Sequence, residues 1–240
     1  MKGVILAGGE GTRLKPLTLV TNKHLLPVFD QPMIVHPLET LKSIGVNDVC
    51  IITGGEYIAD FMRFLGSGSK HGVNFTYKIQ DGPLGIAHAL LQAEDFFKDS
   101  KVATILGDNV FEKITVPKEA LNDDYAYVFL KEVSNPQRFG VAVFDKSGKV
   151  VEIEEKPKEP KSNFAVTGLY IYPHDVFDFI KNMKPSARGE LEITDVNNWY
   201  LKQGRLKAIK MDGFWSDAGT FESLLKATVL RAKSRGFGLD

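Results

Sequence analysis

Glycine, arginine and lysine residues near the N-terminus have the types and spacing of a phosphate-binding loop. The apolar run Val4–Ala7 is typical of a buried strand, and glycines follow it at positions 8, 9 and 11. Glycine lets the backbone turn tightly and expose N–H groups, and such a group of donors binds phosphate. Arg13 adds a rigid set of donors and Lys23 a mobile positive charge. We therefore expect a polyphosphate site at the carboxyl end of the first strand, where open α/β sheets bind ligands.

Two common glycine motifs do not account for this loop. The dinucleotide-binding fingerprint G-x-G-x-x-G lacks its third glycine, because Leu14 occupies that position. The Gly-Lys-Ser/Thr end of a P-loop does not occur in the chain. These absences disfavour a nicotinamide-dependent oxidoreductase, although a plain strand-to-helix turn remains an alternative for the glycines alone.

Two further segments carry residues that suit a nucleotide. Gln80 closes a predicted strand and Gly85 opens a predicted helix. A glutamine amide can bind the edge of a pyrimidine, and a glycine at a helix start leaves room for a flat ring. Asp108 follows the predicted strand Val102–Leu106, where a carboxylate can hold Mg²⁺ beside phosphates. An ordinary helix cap and an Asp-Asn turn are the structural alternatives.

The composition of the chain narrows the classes of protein to which it can belong. The chain has 240 residues, enough for one large α/β domain, and its thirty basic residues balance thirty acidic ones. This balance gives no reason to expect nucleic acid or a membrane surface as a partner. The single cysteine, Cys50, lies in an apolar run and fits a reducing, cytoplasmic setting.

Hydrophobic patterning predicts the elements that must position these residues. Strand and helix patterns alternate in the first half, which favours a mostly parallel mixed sheet flanked by helices. The second half contains strands with hairpin turns, so we expect an added β subdomain. We expect a single domain, residues 1–240, with one half at about 1–112 and the other at about 113–240. The following local expectations are tested below: a helix at Ile86–Phe97, a helix capped near Thr194, a polar loop at Trp215–Thr220, and a last helix capped by Thr220 that runs to Ser234.

Six short sequence motifs together resemble the signature of the sugar nucleotidyltransferase family. They are G-G-x-G-T-R-L-x-P-L-T from Gly8, K-x-L-L-P-V from Lys23, Q-x4-G-I-A-x-A from Gln80, L-G-D-N from Leu106, E-E-K-P-x-x-P-x-S from Glu154, and W-x-D-x-G-T from Trp215. The resemblance runs from Lys2 to about Ala227 and is strongest to the glucose-1-phosphate thymidylyltransferases, in a short form. The chain departs from the family at Ala218, where the family has threonine.

The resemblance implies a Rossmann-like nucleotidyltransferase fold and a role for each matched residue. Arg13, Lys23 and Lys156 would be catalytic; Leu6, Gly8, Gly9, Gly11, Thr12, Gln80 and Gly85 would bind the nucleotide; Asn109, Gly140, Glu155, Val166 and Tyr170 would bind the sugar phosphate; Asp108 and Asp217 would hold Mg²⁺. The string Arg188–Asp195 would form the pocket wall, and His24 and His88, inside matched strings, are candidates for the lining of the site.

The implied reaction is transfer of a nucleotidyl group from dTTP to glucose 1-phosphate by a single in-line displacement, supplying deoxysugar synthesis. UTP is an alternative donor, because Gln80 would contact an edge that uracil and thymine share. A non-catalytic sugar-nucleotide-binding protein is the alternative from another class. The resemblance also implies small-molecule substrates, a cytoplasmic location and a homo-oligomer, either dimer or tetramer.

Overall fold

The structure is a computed structural model that describes residues 1–238. It contains two compact units, each built from discontinuous segments. Unit I comprises Lys2–Pro83, Ile105–Thr115 and the segment that begins at Gly213. Unit II comprises Leu84–Thr104 and Val116–Asp212, together with Met1.

The strands and helices of the described residues are as follows, in chain order. The strands are β1 (Lys2–Ala7), β2 (Pro27–Val28), β3 (Gln31–Pro32), β4 (Asp48–Thr53), β5 (Asn74–Ile79), β6 (Val102–Leu106), β7 (Asn109–Phe111), β8 (Ala126–Glu132), β9 (Gly140–Phe144), β10 (Val150–Glu155), β11 (Phe164–Tyr172), β12 (Leu206–Lys210) and β13 (Trp215–Asp217). The helices are α1 (Val35–Ser43), α2 (Ile58–Leu65), α3 (Ile86–Leu91), α4 (Glu94–Phe97), α5 (Val176–Lys181), α6 (Ile193–Lys202) and α7 (Phe221–Ser234).

Unit I is built on the parallel strands β1, β4 and β5. The register pairs Ala7 with Thr53 and Thr53 with Ile79, so the carboxyl ends of the three strands are level. Strands β1 and β4 are buried after their first residues, as their continuous apolar runs require. The loops that follow Ala7 and Ile79 therefore leave the sheet at the same edge. These loops contain the glycine-rich segment and Gln80.

A short antiparallel pair, β7 with β13, joins two distant parts of unit I. Asn109 pairs with Asp217 and Phe111 with Trp215. The predicted polar loop at Trp215–Thr220 is therefore wrong for its first three residues, which form β13. The predicted cap of the last helix is confirmed, because the Thr220 side chain accepts a hydrogen bond from the Ser223 N–H in a capping box.

Unit II contains an antiparallel arrangement in which β9 lies between β10 and β11, and β11 pairs with β8. Strand β12, which the sequence reading missed, runs parallel to β8. The predicted helix at Ile86–Phe97 is two helices, α3 and α4, separated at Gln92–Ala93. Helix α6 begins at Ile193, so the helix start predicted near Thr194 is correct to within two residues, but Glu192 and not Thr194 occupies the cap position.

The units also differ from the predicted halves of the chain. Residues 84–104 of the predicted first half belong to unit II, and the segment from Gly213 belongs to unit I. The predicted mixed α/β fold class is confirmed, whereas the description as one domain stays a prediction. Within residues 1–238, no helix combines the length and apolar character needed to cross a membrane.

Candidate active site

The glycine-rich loop of unit I is closely packed by the side chains around it. A Cβ atom added at Gly8 would lie 2.5 Å from Oε1 of Gln80. One added at Gly9 would lie 3.3 Å from Cε of Lys23, and Gly11 has a left-handed φ of 67°. Gly11 therefore needs glycine for its backbone conformation, while a methyl group at Gly8 or Gly9 would displace the end of a neighbouring side chain. The side chains of Gln80 and Lys23 lie against the loop.

Two other predicted nucleotide-binding residues, Leu6 and Thr12, and the predicted catalytic residue Arg13 lie at the ends of this loop. Leu6 is buried near the end of β1, one residue before Ala7. Thr12 and Arg13 begin a 3-10 turn whose third residue, Leu14, is fully buried. The buried leucine anchors the turn, while the Arg13 side chain remains exposed and available to a ligand.

Strands β7 and β13 bring the two predicted metal-binding aspartates together. Asp108 immediately precedes β7, and Asp217, the last residue of β13, pairs with Asn109. The N–H of Ala218 donates to the carbonyl oxygen of Asp108 at 2.8 Å. The indole N–H of Trp215 donates to Oδ1 of Asn109 at 2.7 Å. Asn109, predicted to bind the sugar phosphate, thus lies in unit I and supports the aspartates.

Both aspartates and Arg13 converge on Gly219. A Cβ atom added there would lie 3.1 Å from Nη2 of Arg13, 3.3 Å from Oδ2 of Asp108 and 3.4 Å from Oδ2 of Asp217. Three charged groups from distant parts of the chain therefore surround one small space. Ala218, where the family has threonine, is buried in an apolar cluster that includes Leu14.

Lys23 forms an ion pair with Asp108. Nζ of Lys23 lies 2.5 Å from Oδ2, and Nδ2 of Asn109 donates to Oδ1 at 2.9 Å. Burial alone would raise the pKa of Asp108, but the charge of Lys23 and both hydrogen bonds lower it below its ordinary value. Asp108 is therefore an anion in the physiological pH range.

His24 is a structural residue of this region. It is fully buried, and its Nδ1 lies 2.7 Å from Oδ1 of Asn22. Burial, reinforced by the charge of Lys23, lowers the pKa of His24 to about 3. A Cβ atom added at Gly107 would lie 2.7 Å from the His24 ring, so a larger residue at position 107 would collide with the ring. The neutral ring thus packs beneath the strand end that leads to Asp108.

The donor set fits a hard divalent cation. Asp108 and Asp217 offer carboxylate oxygens, and Mg²⁺ characteristically takes one or two carboxylates and completes its shell with water and phosphate oxygens. Oδ2 of Asp217 is oriented by the N–H of Gly219 at 3.3 Å and the hydroxyl of Ser223 at 3.2 Å. Residues 1–238 contain no cluster of three or more His, Cys, Asp or Glu with metal-binding geometry.

Replacing Gly219 by alanine tests whether activity depends on the close spacing of Arg13, Asp108 and Asp217 around it. We expect activity to fall about 10²-fold, because the new methyl group would displace groups that need placement to within about 1 Å. The melting temperature should stay close to wild type, since Gly219 has no positive φ. Gly54→Ala, in the same unit with nothing within 4 Å of the added Cβ, is the matched control. Full activity of Gly219→Ala would mean that the charged groups are not needed at this spacing.

Unit II brings two of the predicted sugar-phosphate residues, Gly140 and Glu155, next to each other. The β9–β10 register places Gly140 opposite Glu155. Oε2 of Glu155 accepts a hydrogen bond from the Thr194 hydroxyl at 2.6 Å. A Cβ atom added at Gly140 would lie 3.3 Å from that hydroxyl and 3.6 Å from Oε2. Thr194 is thus turned toward Glu155 rather than capping a helix.

Two cations lie beside the other oxygen of Glu155. Nζ of Lys156 is 3.5 Å away and Nη2 of Arg188 is 3.3 Å away. Lys156 has a positive φ of 44°, unusual for a residue with a side chain. Arg188 donates from Nε and Nη2 to both oxygens of the buried Glu192, at 3.0 and 2.7 Å. The sequence reading assigned Arg188–Asp195 only as pocket wall, and the structure adds these individual contacts.

Val166 and Tyr170 are buried on β11. Burial, together with the nearby charge of Glu155, raises the pKa of Tyr170 above its ordinary value. Its hydroxyl is therefore neutral at physiological pH. Unit II thus brings together Gly140, Glu155 and Lys156, with Tyr170 near the charge of Glu155.

The backbone conformation and close packing at Gly85 require glycine there, which the sequence motif alone did not predict. Its φ is 102°, and an added Cβ would lie 2.5 Å from the carbonyl oxygen of Leu191. The Leu191 N–H donates to the carbonyl oxygen of Leu84 at 2.8 Å, which fixes this close approach. Backbone packing inside unit II therefore demands glycine here, whether or not a base lies beside it.

Gly85→Ala is accordingly expected to act mainly on stability. We expect a loss of about 3 kcal/mol from the positive φ and the backbone clash, which lowers the melting temperature by roughly 6–12 °C. Gly148→Ala, with a φ of 82° and nothing within 4 Å, carries only the conformational strain and should cost about 1 kcal/mol. Equal shifts in a thermal melt would show that Leu191 moves away without cost.

Comparison with known proteins identifies the family. The sequence model of the family described as Nucleotidyl transferase matches residues 2–234. A glucose-1-phosphate thymidylyltransferase from Neisseria meningitidis serogroup A is 48% identical over 95% of this chain and 81% of its own length. The protein of that name from Mycobacterium tuberculosis is 44% identical over 100% of this chain and 85% of its own length.

Solved structures agree with the sequence relatives. A Bacillus anthracis protein assigned as a glucose-1-phosphate thymidylyltransferase, crystallised with a sucrose, is 52% identical, with a TM-score of 0.92 over 100% of this chain and 97% of that one. A UDP-glucose pyrophosphorylase in complex with UDP-glucose is 26% identical, with a TM-score of 0.83 over 98% and 99% of the two chains. The family resemblance read from the motifs is confirmed: this chain belongs to the nucleotidyl transferase family.

Proposed function

We propose that this protein transfers the thymidylyl group of dTTP to glucose 1-phosphate, yielding dTDP-glucose and pyrophosphate. The observation that carries the proposal is the convergence of Arg13, Asp108 and Asp217 around Gly219, beside the glycine-rich loop. A cation and two carboxylates around one space suit a metal-bound triphosphate. Relatives at 44–48% identity bear the name of this activity, which supports the choice of substrates.

The chemistry requires no protein nucleophile. A phosphate oxygen of glucose 1-phosphate attacks the α-phosphorus of dTTP and forms the new P–O bond, while the bond to the β-phosphate oxygen breaks and pyrophosphate leaves. The attacking dianion needs no base, so the protein contributes by positioning and charge stabilisation. Asp108 and Asp217 would hold Mg²⁺, which when bound neutralises charge on the phosphates.

Several other residues would have roles in this scheme. Lys23 would contact the α-phosphate, and Arg13 would stabilise the charge that develops on pyrophosphate. The N–H groups of the loop Gly8–Thr12 would hold the β- and γ-phosphates. Gln80 would bind the thymine edge. In unit II, Lys156 would bind the phosphate of glucose 1-phosphate, and Glu155 would accept hydrogen bonds from the sugar hydroxyls.

A uridylyltransferase activity is the second candidate. The similarity to a UDP-glucose pyrophosphorylase favours it, as does the pyrimidine edge common to uracil and thymine. The higher identity to thymidylyltransferases ranks dTTP first. The supply of activated sugar to deoxysugar synthesis, a cytoplasmic location and a dimeric or tetrameric homo-oligomer belong to the proposal through the same resemblance.

The deciding experiment measures pyrophosphate release with glucose 1-phosphate and either dTTP, dUTP or UTP, with and without Mg²⁺. We expect turnover with dTTP that requires the metal and yields dTDP-glucose as the sugar nucleotide. The dUTP arm separates the 5-methyl group from the 2′-hydroxyl as the source of any preference. UTP turnover above that of dTTP would establish the second candidate, and tight binding of dTDP-glucose without any turnover would establish a non-catalytic binding protein.

A further inference from the structure

The ammonium group of Lys23 is paired with a carboxylate oxygen of Asp108, one of the two aspartates proposed to hold the metal ion. Its Nζ lies 2.5 Å from Oδ2 of Asp108, and the two side chains are only 13% and 14% exposed. Oδ1 of the same carboxylate accepts a hydrogen bond from Nδ2 of Asn109. Both oxygens of Asp108 are therefore engaged by N–H donors of the protein itself.

A divalent cation and this ammonium group compete for one oxygen. Oδ2 cannot be bonded to a metal ion and remain 2.5 Å from Nζ without bringing two cations into close contact. In a site largely shielded from water, repulsion between such charges is strong. Oδ2 therefore becomes available to a metal ion only when the Lys23 ammonium group has moved.

The stem of Lys23 already lies along the phosphate-binding loop. Its Cε and Nζ are 3.3 and 3.5 Å from the position that a Cβ of Gly9 would occupy, and its Cβ is 2.8 Å from the corresponding position at Gly11. Lysine has a flexible four-carbon stem that ends in a compact charge. The ammonium group can leave Asp108 while the first carbons of the stem stay in place, provided that an anion on the loop becomes its new partner.

We propose that Lys23 is an exchangeable counterion, which neutralises Asp108 until a divalent cation and a polyphosphate are both present. The identity of the polyphosphate rests on the proposed function, but the ion pair does not. A cation alone must leave the ammonium group without a partner, and a polyphosphate alone must leave the carboxylate uncompensated; both are costly for largely buried groups. The two ligands therefore bind cooperatively, and the coupling depends on Lys23.

The test measures Mn²⁺ binding without nucleotide, using the electron paramagnetic resonance signal of the free ion at constant pH. We expect Lys23→Met to bind Mn²⁺ about tenfold more tightly than wild type, because the competing cation is gone. Lys23→Gln, which keeps a donor for Asp108, provides a second variant should the methionine protein be unstable. Lys15→Met removes the same charge from an exposed position in the same segment and should leave Mn²⁺ affinity unchanged.

A double variant locates the effect. Asp108→Asn in the Lys23→Met background should abolish the tightened Mn²⁺ binding. Unchanged or weaker binding in both Lys23 variants, or tight binding that survives Asp108→Asn, would overturn the proposal. The assay uses neither nucleotide nor sugar phosphate. Failure of the proposed function would appear separately, as absent turnover of dTTP and glucose 1-phosphate by the wild-type protein.

Discussion

Arg13→Ala is expected to lower kcat about 10³-fold while the protein stays folded. The Arg13 guanidinium lies in the small space that Asp108 and Asp217 also face around Gly219. Charge develops on the departing pyrophosphate during the reaction, and an arginine aimed at such charge typically contributes a factor of this size. The side chain is exposed, and the turn that carries it is anchored by buried Leu14, so its removal should not disturb packing.

Initial rates of pyrophosphate release over a range of dTTP concentrations measure this effect. A role in the transition state predicts a fall in kcat that exceeds any rise in KM. Arg63→Ala, on an exposed face of α2 in the same unit, removes an equal charge and should leave the rates unchanged. If Arg13→Ala raises only KM, Arg13 contributes uniform binding of the triphosphate and the assigned role in charge stabilisation is wrong.

The glycine loop is the part of the site that the sequence predicts best, because its chemistry is local. Gly8, Gly9 and Gly11 follow a strand directly, and a Cβ atom added at each one would meet a neighbouring side chain. The apolar runs of β1 and β4 likewise predict buried parallel strands, and both strands are buried after their first residues. In these segments, the local pattern of glycine and apolar residues matches the tight loop and the buried strands that the structure contains.

The pairing of β7 with β13 could not be read from periodicity. Each strand has three residues, too few for an alternating pattern, and the partners lie about a hundred positions apart in the chain. Only the family motifs linked Asp108 to Asp217. The bond from Trp215 to Asn109 shows why tryptophan stands in that motif: its N–H fixes the strand pair that aligns the two carboxylates.

Gly85 and Thr194 make contacts in unit II that their sequence motifs did not predict. A glycine before a helix suggested space for a base, but in unit II the added Cβ would meet the backbone of Leu191. A threonine near a helix start suggested a cap, but its hydroxyl donates to Glu155. Gly85 contacts a residue about a hundred positions away in the chain, and Thr194 contacts one about forty positions away. Local rules for glycine or for helix caps do not take such distant contacts into account.

Asp217→Asn is expected to lower kcat about 10³-fold, an effect of about 4 kcal/mol, with little change in melting temperature. Asparagine keeps the size of the side chain and its ability to accept hydrogen bonds from the Gly219 N–H and the Ser223 hydroxyl. It removes the negative charge, which the metal requires and which the N-terminus of α7 favours. The loss should therefore fall on metal binding rather than on the fold.

The metal dependence of the rate separates this explanation from a general disturbance. Activity of Asp217→Asn should require a much higher Mg²⁺ or Mn²⁺ concentration than wild type, because one of two carboxylates remains. Asp60→Asn, an equal change on the exposed side of α2, should leave that dependence unaltered. A variant with wild-type metal dependence would show that the aspartates do not act on a shared ion, and the site would need another source of charge stabilisation.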